Sequence, residues 1–149
     1  MKPKKSVLFV CKGNIFRSPV GEMLLKKFVG KKITVYSAGI SKKDVGKKSI
    51  KNIGIARRFG VDISKHRAKL LTRDKVKKYD IILVFDKYIK KFIQKKYPES
   101  RGKVFLVKKY AGYKTDLEIH DLKGTPEEAH ENFIKEMIPL IKKISKKIL

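Results

Sequence analysis

Short apolar runs alternate along this chain with longer amphipathic stretches, and this alternation constrains the fold more than any other feature. The runs are rich in β-branched residues and are far shorter than the about 20 residues that a membrane-spanning helix needs. Such a pattern is typical of parallel strands joined by crossover helices. It therefore predicts an α/β fold. A length of 149 residues suits one domain spanning residues 1–149.

The pattern predicts the position of each element. Strands are expected at residues 6–10, 33–37, 80–85 and 103–107, and helices at residues 18–29, 48–59, 71–78 and 87–97. A polar loop at residues 108–124 leads to a final helix that starts at Thr125. The expected start of that helix is a capping box between Thr125 and Glu128, with Pro126 in the first turn.

The charge of the chain is strongly unbalanced. Lys and Arg number 39 against 14 Asp and Glu, which gives a net charge of +25. Such a surface attracts polyanions non-specifically. However, the cations are spread along the whole chain, and no signature of a nucleic-acid-binding module is present. We therefore predict a solvated basic surface and no specific nucleic-acid partner.

The chain contains one cysteine, Cys11. A single cysteine excludes an internal disulfide and a multi-cysteine zinc site, and it suits a reducing compartment. No secretion signal or membrane span is recognisable, so we expect a cytoplasmic monomer without a membrane partner. We also expect no metal and no cofactor. Cys11 itself is either a buried core thiol, the usual role of a free cysteine, or a reactive thiol.

The residues around Cys11 favour a reactive role. Residues 11–18, CKGNIFRS, connect the first predicted strand to the first predicted helix. Amides at a helix N-terminus bind anions, and Gly13 and Asn14 are suited to the left-handed backbone that turns successive N–H groups inward. The loop is therefore predicted to bind phosphate. Its candidate binding residues are Lys12, Gly13, Asn14, Ile15, Phe16 and Ser18.

Two side chains in this loop suit nucleophilic chemistry. Next to Arg17 and a helix N-terminus, the Cys11 thiol is expected to ionise readily, and the thiolate is the nucleophile. Arg17 has a planar guanidinium that can bind two phosphoryl oxygens at once, which Lys cannot do. Ser18 could donate a hydrogen bond to the thiolate. Together these residues predict attack by Cys11 on a phosphate ester.

The loop and three later segments resemble one known family. Residues 7–19, VLFVCKGNIFRSP, are similar to the start of the low-molecular-weight protein tyrosine phosphatases, which carry a Cys-x5-Arg-Ser loop. Residues 37–39 (SAG), 60–68 (GVDISKHRA) and 79–86 (YDIILVFD) resemble later landmarks of the family. The resemblance implies a three-layer fold, with a four-stranded parallel sheet in the order 2-1-3-4 and helices on both faces. It also implies hydrolysis of phosphate monoesters through a phosphocysteine on Cys11.

The resemblance also implies a general acid and base late in the chain. Asp121 matches the aspartate of the family, although Leu122 replaces the proline that usually follows it. One carboxyl group at this place could protonate the leaving group and then activate water. Asp116 and Glu118 are the fallback candidates. His66 is expected to make structural hydrogen bonds near the loop, and His120 to face solvent.

Three positions depart from the family. Phe16 stands where many members have a second cysteine, so a protective disulfide with Cys11 is excluded. Lys43 and Lys123 stand where phosphotyrosine-specific members have aromatic residues at the mouth of the pocket. The resemblance therefore implies a substrate more acidic than phosphotyrosine, either a phosphorylated protein or an acidic phosphorylated small molecule. Tyr110 or Tyr113 could provide an aromatic wall instead.

Two other functions remain open on the sequence. The first is arsenate reduction, which related proteins perform with the same kind of loop. Because Cys11 has no partner thiol, only a variant that uses a small external thiol fits. The second is a non-catalytic module that binds phosphate or nucleic acid without turnover.

Overall fold

A four-stranded parallel sheet forms the centre of the protein. The computed structural model describes residues 4–49, 52–122 and 125–149. The strands are β1 (Ser6–Cys11), β2 (Thr34–Gly39), β3 (Ile81–Val84) and β4 (Val104–Leu106). They lie in the order β2-β1-β3-β4, and every neighbouring pair is parallel. The sequence-based prediction of fold and strand order is thus confirmed.

Helices connect the strands and pack on the sheet. The connections contain α1 (Arg17–Val29), α2 (Ile53–Arg58), α3 (Arg73–Lys78), α4 (Lys87–Lys96), α5 (Val107–Tyr110) and α6 (Glu127–Ile148). Short 3₁₀ turns lie at Gly30–Lys32, Lys42–Asp44 and Pro98–Ser100. The helices α1 and α6 pack against each other. Every residue of the central strand β1 is buried, as expected for a parallel strand that is covered on both faces.

Two helix boundaries differ from the predictions. The second helix begins at Ile53; upstream, Gly46 and Lys47 pair with the backbone of Ala68, and residues 50 and 51 lie outside the described residues. The capping box at Thr125 is wrong. The Thr125 hydroxyl donates to the carbonyl of Leu122, and Pro126 becomes the N-cap of α6. In both helices, the residues before the observed start form hydrogen bonds outside the helix.

The C-terminal part of the fold contains one element that the sequence pattern missed. Residues 107–110 form the short helix α5 immediately after β4, where a polar loop was predicted. Thr72 is the N-cap of α3, since its side chain accepts a hydrogen bond from the Lys75 amide. In the described ranges, no helix is long and apolar enough to span a membrane. The same residues contain no cluster of His, Cys, Asp and Glu side chains that could hold a metal ion.

Candidate active site

The loop between β1 and α1 wraps around the sulfur of Cys11. Cys11 is the last residue of β1, and Arg17 is the first residue of α1. Asn14 has a φ of 56°, which is the predicted left-handed conformation. Gly13 does not adopt it. Glycine is suited to position 13 for another reason: a Cβ there would lie 3.1 Å from Oδ2 of Asp44.

Two donors surround the Cys11 thiol. The amide N–H of Asn14 donates to Cys11 Sγ at 3.2 Å, and the hydroxyl of Ser18 lies 2.9 Å from the same sulfur. The Asn14 side chain donates to Ser18 Oγ at 2.7 Å, which directs the hydroxyl hydrogen towards the sulfur. The sulfur therefore lies at the N-terminus of α1 within hydrogen-bond distance of a backbone amide and a hydroxyl.

Asn14 also connects the loop to a distant part of the chain. The amide N–H of Lys69 donates to Asn14 Oδ1 at 2.9 Å. His66 Nε2 lies 2.8 Å from the Asn14 carbonyl oxygen and 3.1 Å from Oδ1. Because both partners are acceptors, Nε2 carries the proton. Burial lowers the pKa of His66, so the ring is neutral and its role is structural, as the sequence suggested.

The end of β2 closes tightly against this loop. A Cβ on Gly39 would lie 2.9 Å from the amide nitrogen of Asn14 and from the carbonyl carbon of Gly13. Any larger residue would therefore push the loop away. The next two amides, from Ile40 and Ser41, donate to the carbonyl of Lys12. These contacts explain why the Ser-Ala-Gly segment accompanies the cysteine loop.

Arg17 is almost fully buried, with 3% of its surface exposed. Its Nη1 donates to Asp86 Oδ2 at 3.1 Å and to the carbonyl of Ile119 at 2.8 Å. Both bonds use one nitrogen, and Nε and Nη2 have no hydrogen-bond partner within the described ranges. These two donors are available for a ligand. Asp86 also caps α4 by accepting from the Ile89 amide, which fixes the carboxylate.

Asp86 was not predicted as a site residue. It lies two residues beyond the end of β3, at the same edge of the sheet as Cys11. Because the carboxyl ends of parallel strands form the usual ligand site of such sheets, its position was the signal that could have identified it.

A cleft of about 710 Å³ opens above the loop. It brings together the three predicted catalytic residues, Cys11, Arg17 and Asp121. Five of the predicted binding residues line the cleft: Lys12, Gly13, Ile15, Phe16 and Lys43. The lining also includes residues that the sequence did not indicate as part of the site, namely Asp44, Lys47, Asn52, Ile55, Leu122, Thr125, Glu127 and His130. Asn14 and Ser18 are buried and support the loop. Lys123 lies outside the described residues.

Residues 6–149 match the family described as low molecular weight phosphotyrosine protein phosphatase. The chain belongs to this family. It is 38% identical to the low molecular weight protein-tyrosine-phosphatase Ptp of Acinetobacter johnsonii, over 72% of this chain and 75% of the relative. It is 28% identical to a protein-arginine-phosphatase of Geobacillus stearothermophilus, over 95% of each chain. The structure of Vibrio vulnificus Wzb in complex with benzylphosphonate superposes with a TM-score of 0.86 at 32% identity, covering 97% of this chain and 99% of Wzb.

The protein is thus a cysteine-dependent phosphatase of this family, and the apolar walls of its cleft combine aliphatic side chains with one phenyl ring. Ile15, Ile55 and Leu122 line the cleft. The ring of Phe16 also lines it and packs edge-on against His130, with 4.9 Å between ring centroids. The aromatic wall proposed for Tyr110 and Tyr113 is wrong, since neither residue lines the cleft. The ring of Tyr110 packs on Phe105, while the ammonium group of Lys143 lies 4.8 Å from the ring centroid of Tyr113.

Charged groups of both signs lie at the mouth of the phosphatase cleft. Lys12, Lys43 and Lys47 line it and are exposed. Lys47 pairs with Asp44 at 3.2 Å. Glu127 pairs with an arginine of α2 at 3.3 Å. These pairs partly neutralise the mouth, whereas Lys12 and Lys43 form no ion pair with any described residue. Of the predicted rim cations, Lys12 and Lys43 therefore lie at the mouth, and Lys47 is an additional cation that is already paired.

The segment that carries Asp121 is held against the sheet. The amide of Ile119 donates to the carbonyl of Phe85 at 2.6 Å, while the Ile119 carbonyl accepts from Arg17. Asp121 lies two residues beyond this attachment and lines the phosphatase cleft. The fallback candidates Asp116 and Glu118 line a separate, smaller depression together with His120, which is exposed as predicted. Their position favours Asp121 as the acid.

Proposed function

We propose that this phosphatase hydrolyses phosphate monoesters of proteins through a phosphocysteine on Cys11. The observation that carries the proposal is the pair of hydrogen bonds to Cys11 Sγ, from the Asn14 amide and from Ser18, at the base of a cleft that Arg17 also lines. A buried core thiol would not need these donors. A single cysteine is also suited to a reducing compartment such as the cytoplasm.

The proposed reaction has two steps. In the first, the Cys11 thiolate attacks phosphorus while the ester P–O bond breaks, and Asp121 gives its proton to the leaving oxygen. Nε and Nη2 of Arg17 bind two equatorial phosphoryl oxygens, where charge develops in the transition state. In the second, water attacks the phosphocysteine, Asp121 takes a proton from that water, and the S–P bond breaks to release phosphate and regenerate the thiolate.

The role of Asp121 predicts a dependence on the leaving group. Asp121→Asn should lower kcat/KM for phenyl phosphate on the order of 10²-fold, because phenoxide needs a proton when it departs. The loss should be much smaller for p-nitrophenyl phosphate, whose nitrophenolate is a stable anion. Steady-state phosphate release from a series of substituted aryl phosphates would measure this difference.

Asp116→Asn and Glu118→Gln are matched controls, because both residues belong to the same segment but line the neighbouring depression. Each should keep the leaving-group dependence of the parent. If one of them shows the steeper dependence and Asp121→Asn does not, the acid has been assigned to the wrong carboxylate.

The lining of the cleft favours an aryl phosphate that is part of an acidic peptide as the substrate. Ile15, Ile55 and Leu122 offer an apolar surface for a phenyl ring, and this favours phosphotyrosine over phosphoarginine. Lys12 and Lys43 add positive charge at the mouth. We therefore propose acidic phosphotyrosine peptides as preferred substrates. A panel of phosphotyrosine and phosphoarginine peptides, each in an acidic and a neutral form, tests this proposal by phosphate release.

Lys43 should contribute to the preference for acidic peptides. Lys43→Tyr removes a cation from the mouth and adds a ring that can stack on the substrate. We expect the ratio of kcat/KM for an acidic over a neutral phosphotyrosine peptide to fall about threefold to tenfold at low salt. Lys48→Tyr is the control, since Lys48 is exposed but does not line the cleft. An equal fall in both variants would mean that the overall charge sets the preference.

The same assays separate the two alternative functions. Thiol-dependent reduction of arsenate at a rate above phosphate release would support a reductase. Binding of phosphopeptides without any turnover would support a non-catalytic module.

A further inference from the structure

Basic residues precede every strand of the sheet. The two to four residues before each strand contain two cations, and the eight residues are Lys4 and Lys5 before β1, Lys31 and Lys32 before β2, Lys77 and Lys78 before β3, and Arg101 and Lys103 before β4. The same short segments contain one acidic residue, Asp80. Its carboxylate accepts hydrogen bonds from the amide and the hydroxyl of Ser6.

The fold collects these pairs at one edge. Because all four strands are parallel, their first residues lie side by side, as the register of Ser6 with Thr34 and of Ile82 with Val104 shows. Backbone hydrogen bonds from Thr34 to Lys5 and from Ile82 to Lys103 place the preceding residues in the same row. We call these eight cations the basal edge. The phosphatase cleft lies at the opposite ends of the strands, across a β1 of roughly 20 Å.

Most of the basal edge has no role within the fold. Lys5 Nζ donates to the last turn of α6, and Lys103 Nζ donates to carbonyls at the end of α3, so these two stabilise helix ends. The other six are exposed and form no ion pair with any residue of the described ranges. Like charges placed side by side repel one another, so folding alone does not explain this arrangement.

We propose that the basal edge docks the phosphatase onto the surface of an anionic lipid bilayer. Seven of the eight cations are lysines, which act as point charges and lack the planar fork suited to nucleic-acid phosphates and bases. Tyr79, the aromatic residue within these segments, is buried, and the exposed ring of Tyr36 beside it is already in contact with Lys26 Nζ, 4.8 Å from the ring centroid, so neither ring offers a free face for stacking on bases. A row of mobile ammonium groups suits a flat, fluid layer of lipid phosphates.

Docking through the basal edge would leave the active site open. The cleft lies at the far end of the sheet, so a bound phosphatase would present it away from the lipid and towards proteins near the membrane surface. Attachment would depend on charge and would weaken as salt rises. This proposal does not depend on catalysis, because binding can be measured with an inactive protein.

Co-sedimentation with vesicles tests the proposal on Cys11→Ser protein. At low salt we expect binding to vesicles rich in phosphatidylglycerol and none to pure phosphatidylcholine. Replacing Lys31, Lys32, Lys77 and Lys78 by glutamine should weaken binding on the order of 10²-fold, since each lysine near such a surface contributes several-fold. The matched control replaces four exposed lysines of other segments, Lys48, Lys65, Lys91 and Lys109, and should bind nearly as well as the parent.

Three outcomes would overturn the proposal: an equal loss in the basal and control variants, tighter binding of the parent to duplex DNA or RNA than to the anionic vesicles, or no vesicle binding at all. The orientation of the bound phosphatase on the vesicle can be tested separately with the active parent protein. Hydrolysis of p-nitrophenyl phosphate should continue when the parent is bound to vesicles, and its suppression would show that the cleft faces the lipid.

Discussion

Replacing Cys11 by serine should abolish turnover, with kcat for p-nitrophenyl phosphate falling by more than about 10⁴-fold. A serine hydroxyl is a much weaker nucleophile than a cysteine sulfur, although the Asn14 amide and Ser18 would still surround it. Phosphate binding should survive, because the loop amides and Arg17 are unchanged. Phosphate release and the rise in Tm on adding inorganic phosphate measure the two properties separately.

The same pair of measurements can contradict the phosphocysteine mechanism. Turnover close to that of the parent in Cys11→Ser would show that another group attacks phosphorus. A trapped phosphoenzyme in the parent, detected after acid quench and absent from the variant, would be the positive counterpart.

Arg17→Lys should lower kcat/KM on the order of 10³-fold. Arg17 Nη1 is held by Asp86 and by the Ile119 carbonyl, which leaves Nε and Nη2 to bind two phosphoryl oxygens together. The single ammonium group of lysine cannot pair with Asp86 and bind two phosphoryl oxygens of the substrate at the same time. The shift in Tm with inorganic phosphate should also shrink, unlike in Cys11→Ser. Kinetics and phosphate-dependent thermal denaturation together measure the effect.

Arg73→Lys is the matched control for Arg17→Lys. Arg73 is paired with Glu99, but this pair is exposed and remote from the cleft. The control should retain nearly full activity. If Arg17→Lys folded normally and kept the activity of the parent, bidentate binding of phosphate by the guanidinium would not be needed. The proposed transition-state role of Arg17 would then be wrong.

The sheet could be predicted from sequence because its signals are local and strong. The buried runs of β1 and β3 are continuous and β-branched, and the loop after β1 is recognisable as a strand-to-helix phosphate site. The starts of α2 and α6 could not be predicted, because helix propensity does not show the hydrogen bonds made by the residues before them. Gly46 and Lys47 pair with Ala68, and the Thr125 hydroxyl turns to Leu122 instead of capping the helix.

The chemistry of the site was likewise easier to predict than its surroundings. Cys11, Arg17 and Ser18 are read from one short motif. Asp86 and Ile55 reach the site from other segments; the position of Asp86 at the carboxyl edge of the sheet could have identified it, whereas no local pattern marks Ile55. Of the predicted rim cations, Lys12 and Lys43 line the cleft, while the sequence did not indicate Lys47, which is paired with Asp44.

Because of the contacts of the Asn14 side chain, the phosphate loop cannot be transferred by itself to another protein. Asn14 is fully buried, and its amide group contacts Ser18 on one side and Lys69 and His66 on the other. Residues 11–18 grafted onto another strand and helix would bring the cysteine, the arginine and Ser18 but would leave the side-chain oxygen of Asn14 without its partners, at a cost of about 1–3 kcal/mol per buried group. A redesigned enzyme that borrows this loop must therefore also borrow the segment at residues 66–69.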